Sequence, residues 1–217
     1  MLIAFIGIGN VGLALADSLQ KLGHAVTIAA RDLESESVRA AQARSPALMA
    51  RPVREAVAEA ETIFLATPFP AVQSALGGAG DLSGKIVVDC TNPAGPGLSH
   101  GLAGQTSGGE FVQQLAPGAR VVKAFNIYGY ENFEDATYPG YGDLRPAMLI
   151  AGNDAAAKEK VAALCQRLGW EPVDTGRIAM SLHLEHMALL WIKMARAQGR
   201  GPDFVWAKLK RGAQKNI

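Results

Sequence analysis

Leu2-Ile3-Ala4-Phe5-Ile6-Gly7-Ile8-Gly9-Asn10-Val11-Gly12 opens the chain. Five apolar residues run straight into G-x-G-x-x-G, and a helical pattern follows in which Val11, Leu15, Leu19 and Leu22 share one stripe. The glycine spacing alone is weak. Here it follows a predicted strand and opens a predicted helix at the start of a βαβ pattern, which is the context a dinucleotide-binding turn requires. Gly7 permits the tight turn, Gly9 lets the main chain approach a pyrophosphate with no Cβ in the way, and Gly12 lets the helix lie close to the sheet. The first N–H groups of the helix, at the positive end of its dipole, face the phosphates.

Outward from this turn, residues 25–30, 62–66, 85–90 and 120–125 read as further strands. Helical patterns at 53–60, 71–76 and 111–115 lie between them. The strands are apolar nearly throughout, as expected when helices cover both faces of a parallel sheet. This alternation specifies an α/β fold: a doubly wound Rossmann-type parallel sheet with a small C-terminal α/β unit. The expected division is a dinucleotide-binding domain at 1–143 and a smaller domain at 144–217, carrying the acceptor cleft and oligomer contacts. In the smaller unit, 147–151 and 171–174 read as strands. Asn153 or Asp154 caps a helix that ends at Gly169. A long helix spans 177–198, and a short one lies at 204–209 before a basic tail with Lys208, Lys210, Arg211 and Lys215. Residues 91–109 form a glycine-rich loop that ends in a capping box, Ser107 with Glu110.

Composition narrows the function. Of 217 residues, 49% are apolar and 19% charged, enough for a sizeable core. Lys+Arg 21 against Asp+Glu 20 leaves +1, so nothing marks a surface for nucleic acid or an anionic membrane. Cys90 and Cys165 make neither a disulfide framework nor a metal cluster, which points to a reducing cytoplasm. Residues 1–16 are apolar and end in Ala14-Leu15-Ala16. No Lys or Arg precedes the run, and the glycines interrupt it, which argues against a signal peptide. No later segment holds the ~18 apolar residues of a membrane span.

The end of the second strand reads Ala29-Ala30-Arg31-Asp32. A guanidinium here can fork onto the 2′-phosphate of NADP, and Arg31 favours that cofactor. Asp32 offers a weaker case for NAD, or it caps the helix that follows. Thr67-Pro68 and Thr91-Asn92-Pro93 follow strands at the ends where ligands bind in such sheets. Their side chains suit ribose and carboxamide groups, and they suit local turn chemistry equally well. His183 and His186 flank Glu185 on the long helix, where an exposed polar face is the simpler reading than a metal site. Cys90 and Cys165 read as small core residues. All four tyrosines lie between Tyr128 and Tyr141, beside Phe125 and Phe133; they form either a ligand or partner face or a satellite cluster under a loop. The long helix carries Met180, Leu184, Met187, Trp191 and Met194, with Leu182, Leu189 and Leu190 as surplus apolar surface. A homodimer or an apolar ligand would use that surplus.

With these residues in view, the sequence resembles the coenzyme F420-dependent NADP oxidoreductases over nearly its full length. The matching landmarks are Gly7–Gly12, Leu22-Gly23-His24, Arg31, Ala66-Thr67-Pro68, Thr91-Asn92-Pro93, Val122-Lys123-Ala124-Phe125-Asn126, Ala151-Gly152-Asn153-Asp154, Leu168-Gly169-Trp170 and Glu185. The resemblance implies an NADP-binding Rossmann domain with a small C-terminal domain. Gly9, Asn10 and Val11 hold the pyrophosphate and Arg31 the 2′-phosphate. Asn92 and Pro93 border the nicotinamide, and Ala124, Phe125 and Asn126 border the acceptor. Hydride passes directly to a deazaflavin (coenzyme F420) or flavin-like acceptor, so no acid–base triad is expected. Ala30 stands where the family often has a hydroxyl, and the tyrosine-rich stretch is longer than the family's connection. Two other readings remain open: an imine reductase resembling pyrroline-5-carboxylate reductase, and a non-catalytic NADP-binding sensor.

Overall fold

The computed structural model describes residues 1–211. Lys215 of the expected basic tail lies outside them. The chain alternates from the start: β1 (Leu2–Ile6), α1 (Asn10–Lys21), β2 (Ala25–Ala30), α2 (Glu36–Arg44), β3 (Met49–Pro52), α3 (Val53–Glu59), β4 (Thr62–Leu65), α4 (Val72–Gly77) and β5 (Ile86–Asp89). After a long loop come α5 (Gly108–Leu115), β6 (Arg120–Lys123) and α6 (Glu131–Glu134). The last elements are β7 (Ala147–Gly152), α7 (Ala155–Arg167), β8 (Glu171–Asp174) and α8 (Ser181–Ile192).

All eight strands lie in one sheet, in the order β3-β2-β1-β4-β5-β6-β7-β8. Strands β1 to β6 run parallel, β7 pairs antiparallel with β6, and β8 pairs parallel with β7. The C-terminal segment therefore continues the sheet of the first part. The chain leaves β1 to build β2 and β3 on one side, then returns to lay β4 on the other. That reversal opens a crevice at the carboxyl end of β1.

The period-two alternation of each strand sorts its side chains onto two faces. Phe5, Phe64, Val88 and Val122 pack with Leu15 of α1 and Val161 of α7 in one core. Ile63, Leu65, Val87 and Val121 pack with Val57 of α3 and Val112 of α5 in the other. Phe5 and Phe64 stack with centroids 4.7 Å apart across the β1–β4 pair. Each such fully buried side chain contributes roughly 1.5–3 kcal/mol, so two-sided coverage makes the sheet the stable frame on which loops can be positioned.

The turn after β1 depends on two of its three glycines. Gly7 has φ +96°, and a Cβ there would lie 2.7 Å from the Ala66 backbone. A Cβ on Gly12 would lie 2.2 Å from the Gly7 carbonyl oxygen. Gly12→Ala is therefore expected to destabilise the fold by about 3 kcal/mol through overpacking against main chain. Thermal or urea unfolding checks this, and an unchanged midpoint would contradict the close approach of α1 to the turn.

Several expected elements differ. Residues 204–209 are not helical: Ala147 N–H donates to the Trp206 carbonyl, and the Trp191 indole donates to the Phe204 carbonyl. Tertiary hydrogen bonds take carbonyls that a helix here would use, despite the helical spacing of the stretch. The helix expected over 177–198 runs without interruption over 178–197, with a 3₁₀ first turn at Ile178–Met180, α8, and a π-helical last turn at Lys193–Ala197. Strand β6 ends at Lys123, because Phe125 takes φ +56° and turns the chain out of the ladder. The capping box at Ser107 and Glu110 is present, and Asp154 rather than Asn153 caps α7. No helix among the described residues is long and apolar enough to cross a membrane.

Candidate active site

Two cavities lie side by side along the carboxyl ends of the strands. The first, of about 670 Å³, runs from Gly7 and Ile8 over the end of β2 to α3; Arg31, Asp32, Ser35 and Arg54 line it. The second, of about 300 Å³, is lined by Gly9, Asn10, Val11, Pro68, Thr91 and Asn92. Thr67 borders both. The glycine turn thus separates the cavity over β2 from the cavity over β4 and β5, as a bridge between two halves of one ligand requires.

The start of α1 is open. Gly9 precedes it with no side-chain cap, and its first turn holds no acidic residue. The Leu13 N–H is satisfied by the Gly9 carbonyl, and the N–H groups ahead of it in the helix have no intrahelical acceptor. A Cβ built on Gly9 meets nothing within 4 Å. Gly9 therefore borders free space where Gly7 and Gly12 border main chain. The Thr67 hydroxyl is buried at the junction of the two cavities, with no partner among the described residues. An open helix terminus, a Cβ-sized gap and an unpaired hydroxyl together fit a diphosphate with its ribose.

At the end of β2 the Asp32 carboxylate accepts the Glu34 N–H at 2.9 Å. It is engaged in its own turn, which weakens its case as a ribose ligand. Arg39 and Arg51 are tied to Glu34 and Glu59. Arg31 and Arg54 instead line the cavity. Arg54, which its sequence position did not single out, joins Arg31 because α3 follows β3 directly and brings its first turn beside the end of β2.

On the other side, Asn92 and Asn126 clasp each other. Asn92 Nδ2 donates to the Asn126 carbonyl at 2.7 Å, and Asn126 Nδ2 donates to Asn92 Oδ1 at 2.9 Å. This reciprocal pair fixes both amide orientations. It leaves the buried Asn126 Oδ1 without a partner among the described residues. Pro93 is buried beside Gly108, with its carbonyl accepting the Gly101 N–H. Ala124 and Phe125 are buried in the core, where the Phe125 ring packs against Phe64 and Phe133. Of the run 124–126, Asn126 carries the polar side chain, which meets the site through Asn92 and lines neither cavity itself.

Beneath this wall lies a group that the spacing of the sequence did not reveal. Asp89 and Lys123 end neighbouring strands and are register partners, so they share a face. Lys123 Nζ lies 2.9 Å from Asp89 Oδ2 and 2.9 Å from Glu185 Oε1, and donates to the Thr91 carbonyl at 2.5 Å. Glu185 also accepts from His100 Nε2 at 2.8 Å and from the Gly108 and Gly109 N–H groups at the start of α5. Asp89 Oδ1 accepts both the N–H and the hydroxyl of Thr91. Burial opposes ionisation of Glu185, but Lys123, His100 and the Gly108 N–H outweigh it and hold its carboxyl below the usual range. Burial likewise opposes the charge on Lys123, while Asp89 and Glu185 hold its ammonium above the ordinary lysine value.

The remaining candidates sort simply. His183 and His186 are exposed, and His186 stacks on His100 with centroids 5.0 Å apart. Burial raises the Cys90 thiol well above its usual value, reinforced by Asp89, and Cys165 is buried in the core. Tyr128 stacks on Trp170 within the core, whereas Tyr141 is exposed. On α8, Leu184, Leu189 and Trp191 are buried and Leu190 is 50% exposed.

Known proteins match this chain in sequence and fold. The family described as NADP oxidoreductase, coenzyme F420-dependent, matches residues 2–93. A crystal structure of a proposed F420-dependent NADP reductase from Arthrobacter sp. FB24 is 33% identical, with TM-score 0.87, and the match covers 97% of this chain and 100% of that one. A hypothetical protein of Sinorhizobium meliloti is 30% identical, with TM-score 0.73, over 82% of this chain and 87% of that one. Metalloreductase STEAP3 of Rattus norvegicus is 33% identical over 135 residues, 62% of this chain, and the match spans 26% of that protein's length. A reductive aminase of Aspergillus terreus, 20% identical with TM-score 0.63, shares the fold. Full-length similarity above 30% identity, laid over an open helix terminus and two cavities at the switch point, places this chain in the coenzyme F420-dependent NADP oxidoreductase family, as an NADP-dependent oxidoreductase.

Proposed function

We propose that the protein binds NADPH across both cavities and passes its hydride to a flavin-like or deazaflavin acceptor. The observation that carries this reading is the division of the three glycines. Two are filled against main chain, and Gly9 alone faces open space at the start of an uncapped helix. The N–H groups of Asn10 and Val11 and the bare Gly9 would hold the diphosphate, with Gly7 and Gly12 setting the turn. Arg31 and Arg54 would receive the 2′-phosphate in the larger cavity, and Thr67 and Pro68 would border the ribose. Asn92 and Pro93 would bound the nicotinamide half, with Asn126 clasping Asn92 from behind on the acceptor side. When bound, the nicotinamide supplies the hydride. The chain's own contribution is to orient two flat rings and keep water out, which is a positioning effect.

In this reading residues 1–143 bind the dinucleotide, and 144–217 complete the acceptor side and support a homodimer, for which the half-exposed Leu190 of α8 is a contact. The fold also supports imine reduction, since the reductive aminase of Aspergillus terreus shares it. NADPH oxidation followed at 340 nm with a deazaflavin, with FMN and with a cyclic imine separates the readings. Turnover with the deazaflavin or FMN, at least tenfold above the imine, is the expected result. Turnover with the imine alone would replace the acceptor, and tight NADPH binding with no turnover would favour a sensor.

A further inference from the structure

The buried charges of Asp89, Lys123 and Glu185 are not needed to bind a dinucleotide by the contacts above, yet the fold is built to accommodate them. Lys123, Asp89 and Glu185 have side-chain exposures of 0%, 0% and 1%. Burying three charges is costly, and apolar side chains of similar volume often serve stability as well or better. A purely structural account therefore leaves the charges unexplained.

A proton-delivery account also meets an obstacle. A lysine ammonium has three N–H bonds. Lys123 has three acceptors, Asp89, Glu185 and the Thr91 carbonyl, so no proton is spare. What the group does is join five segments. Asp89 and Lys123 bring the ends of β5 and β6. Both grip Thr91, from its N–H, hydroxyl and carbonyl. Glu185 brings α8, the first N–H groups of α5, and His100 of the long loop. The start of α5 is shaped for this approach. A Cβ on Gly108 would lie 2.9 Å from Glu185 Oε1, and one on Gly109 would lie 2.2 Å from the Ser181 oxygen of α8.

Thr91 is the link to the site. It lines the second cavity next to Asn92. Asn92 in turn clasps Asn126, which leaves β6 through the left-handed turn at Phe125. A residue such as Phe at φ +56° persists only where its surroundings hold it.

We infer that the Lys123–Glu185 ion pair, anchored by Asp89, is a positioning device that fixes the Thr91–Asn92–Pro93 wall at the hydride-transferring end of the site. This rests on the reading of the second cavity as the nicotinamide end. Lys123 and Glu185 are positioning residues here, since they touch neither ring and act through Thr91.

The test separates binding from placement. Glu185→Gln removes the charge at nearly constant volume, and Glu185→Asp keeps the charge but withdraws it from Lys123. In each variant NADPH affinity is measured by calorimetry, and the nicotinamide environment by the fluorescence of bound NADPH. Hydride transfer per bound NADPH is measured in a single turnover with the deazaflavin or FMN. Affinity within about threefold of wild type is expected, because the adenosine and diphosphate contacts are untouched. The fluorescence of bound NADPH should shift toward that of the free coenzyme, and single-turnover rates should fall at least tenfold. A variant that loses only thermal stability, with wild-type fluorescence and rate per bound NADPH, would overturn the inference. Wild-type protein that binds no NADPH would instead overturn the reading of the cavities, a failure seen before any variant is made.

Discussion

Gly9→Val is expected to leave the protein folded and to weaken NADPH binding at least ~100-fold, about 2.7 kcal/mol. The backbone at Gly9 has φ −72° and ψ −167°, an extended geometry that valine adopts without strain. A Cβ there meets no protein atom within 4 Å. The cost to the fold is a poorer residue ahead of α1, about 1 kcal/mol, or no more than ~5 °C in a chain of this size. The cost to binding is much larger. Two methyl groups would stand where the diphosphate must approach the helix N–H groups, and direct charge-assisted bonds to those groups would be lost. The contrast with Gly12→Ala is part of the expectation: the Gly12 variant should lose stability first, and the Gly9 variant should lose ligand first. Calorimetry with a parallel thermal melt reads both. An unchanged dissociation constant in Gly9→Val would remove the diphosphate from this turn.

Arg31→Ala is expected to weaken NADPH by 10- to 100-fold and NADH by less than twofold. The two coenzymes differ only in the 2′-phosphate, so the comparison isolates that group. A guanidinium–phosphate pair contributes roughly 1.5–3 kcal/mol, consistent with the range given. Arg54 lines the same cavity and should retain part of the preference, so Arg31→Ala combined with Arg54→Ala should bring the two coenzymes together. Added salt should narrow the wild-type preference, because the cavity is open to solvent at Arg31. Equal losses for both coenzymes would assign Arg31 a structural role.

The parts of this molecule that read directly from sequence are those where local chemistry and tertiary demand agree. β1, α1 and β2 are such a case: apolar strands covered on both faces, a helix with one stripe, and two glycines, Gly7 and Gly12, at positions where any side chain would collide. α2 and β3 were not legible. α2 buries only Val38 and Ala41, and β3 is a four-residue edge strand containing Arg51 and Pro52, so neither carries a clear apolar period. The stretch 204–209 was misleading for the opposite reason. Its spacing suits a helix, but the Ala147 N–H and the Trp191 indole take the carbonyls of Trp206 and Phe204.

The site divides in the same way. Gly9, Arg31, Thr67 and Asn92 lie at strand ends that the pattern marks. The Asp89–Lys123–Glu185 group does not, because its members lie far apart in sequence and each reads alone as something else. Glu185, flanked by His183 and His186, looks like a solvated helix face until the register of β5 and β6 puts Lys123 beneath it. The available signal was Lys123 itself, a lone cation closing the apolar run Val121-Val122, whose burial demands an acid from elsewhere in the chain.

The central claim, that the turn Gly7–Gly12 and Arg31 together hold NADPH, is tested most directly by titrating the purified, folded protein with NADPH and with NADH in a calorimeter. One NADPH per chain, bound at least tenfold more tightly than NADH, is the expected result. Folded protein that takes up neither coenzyme would contradict it.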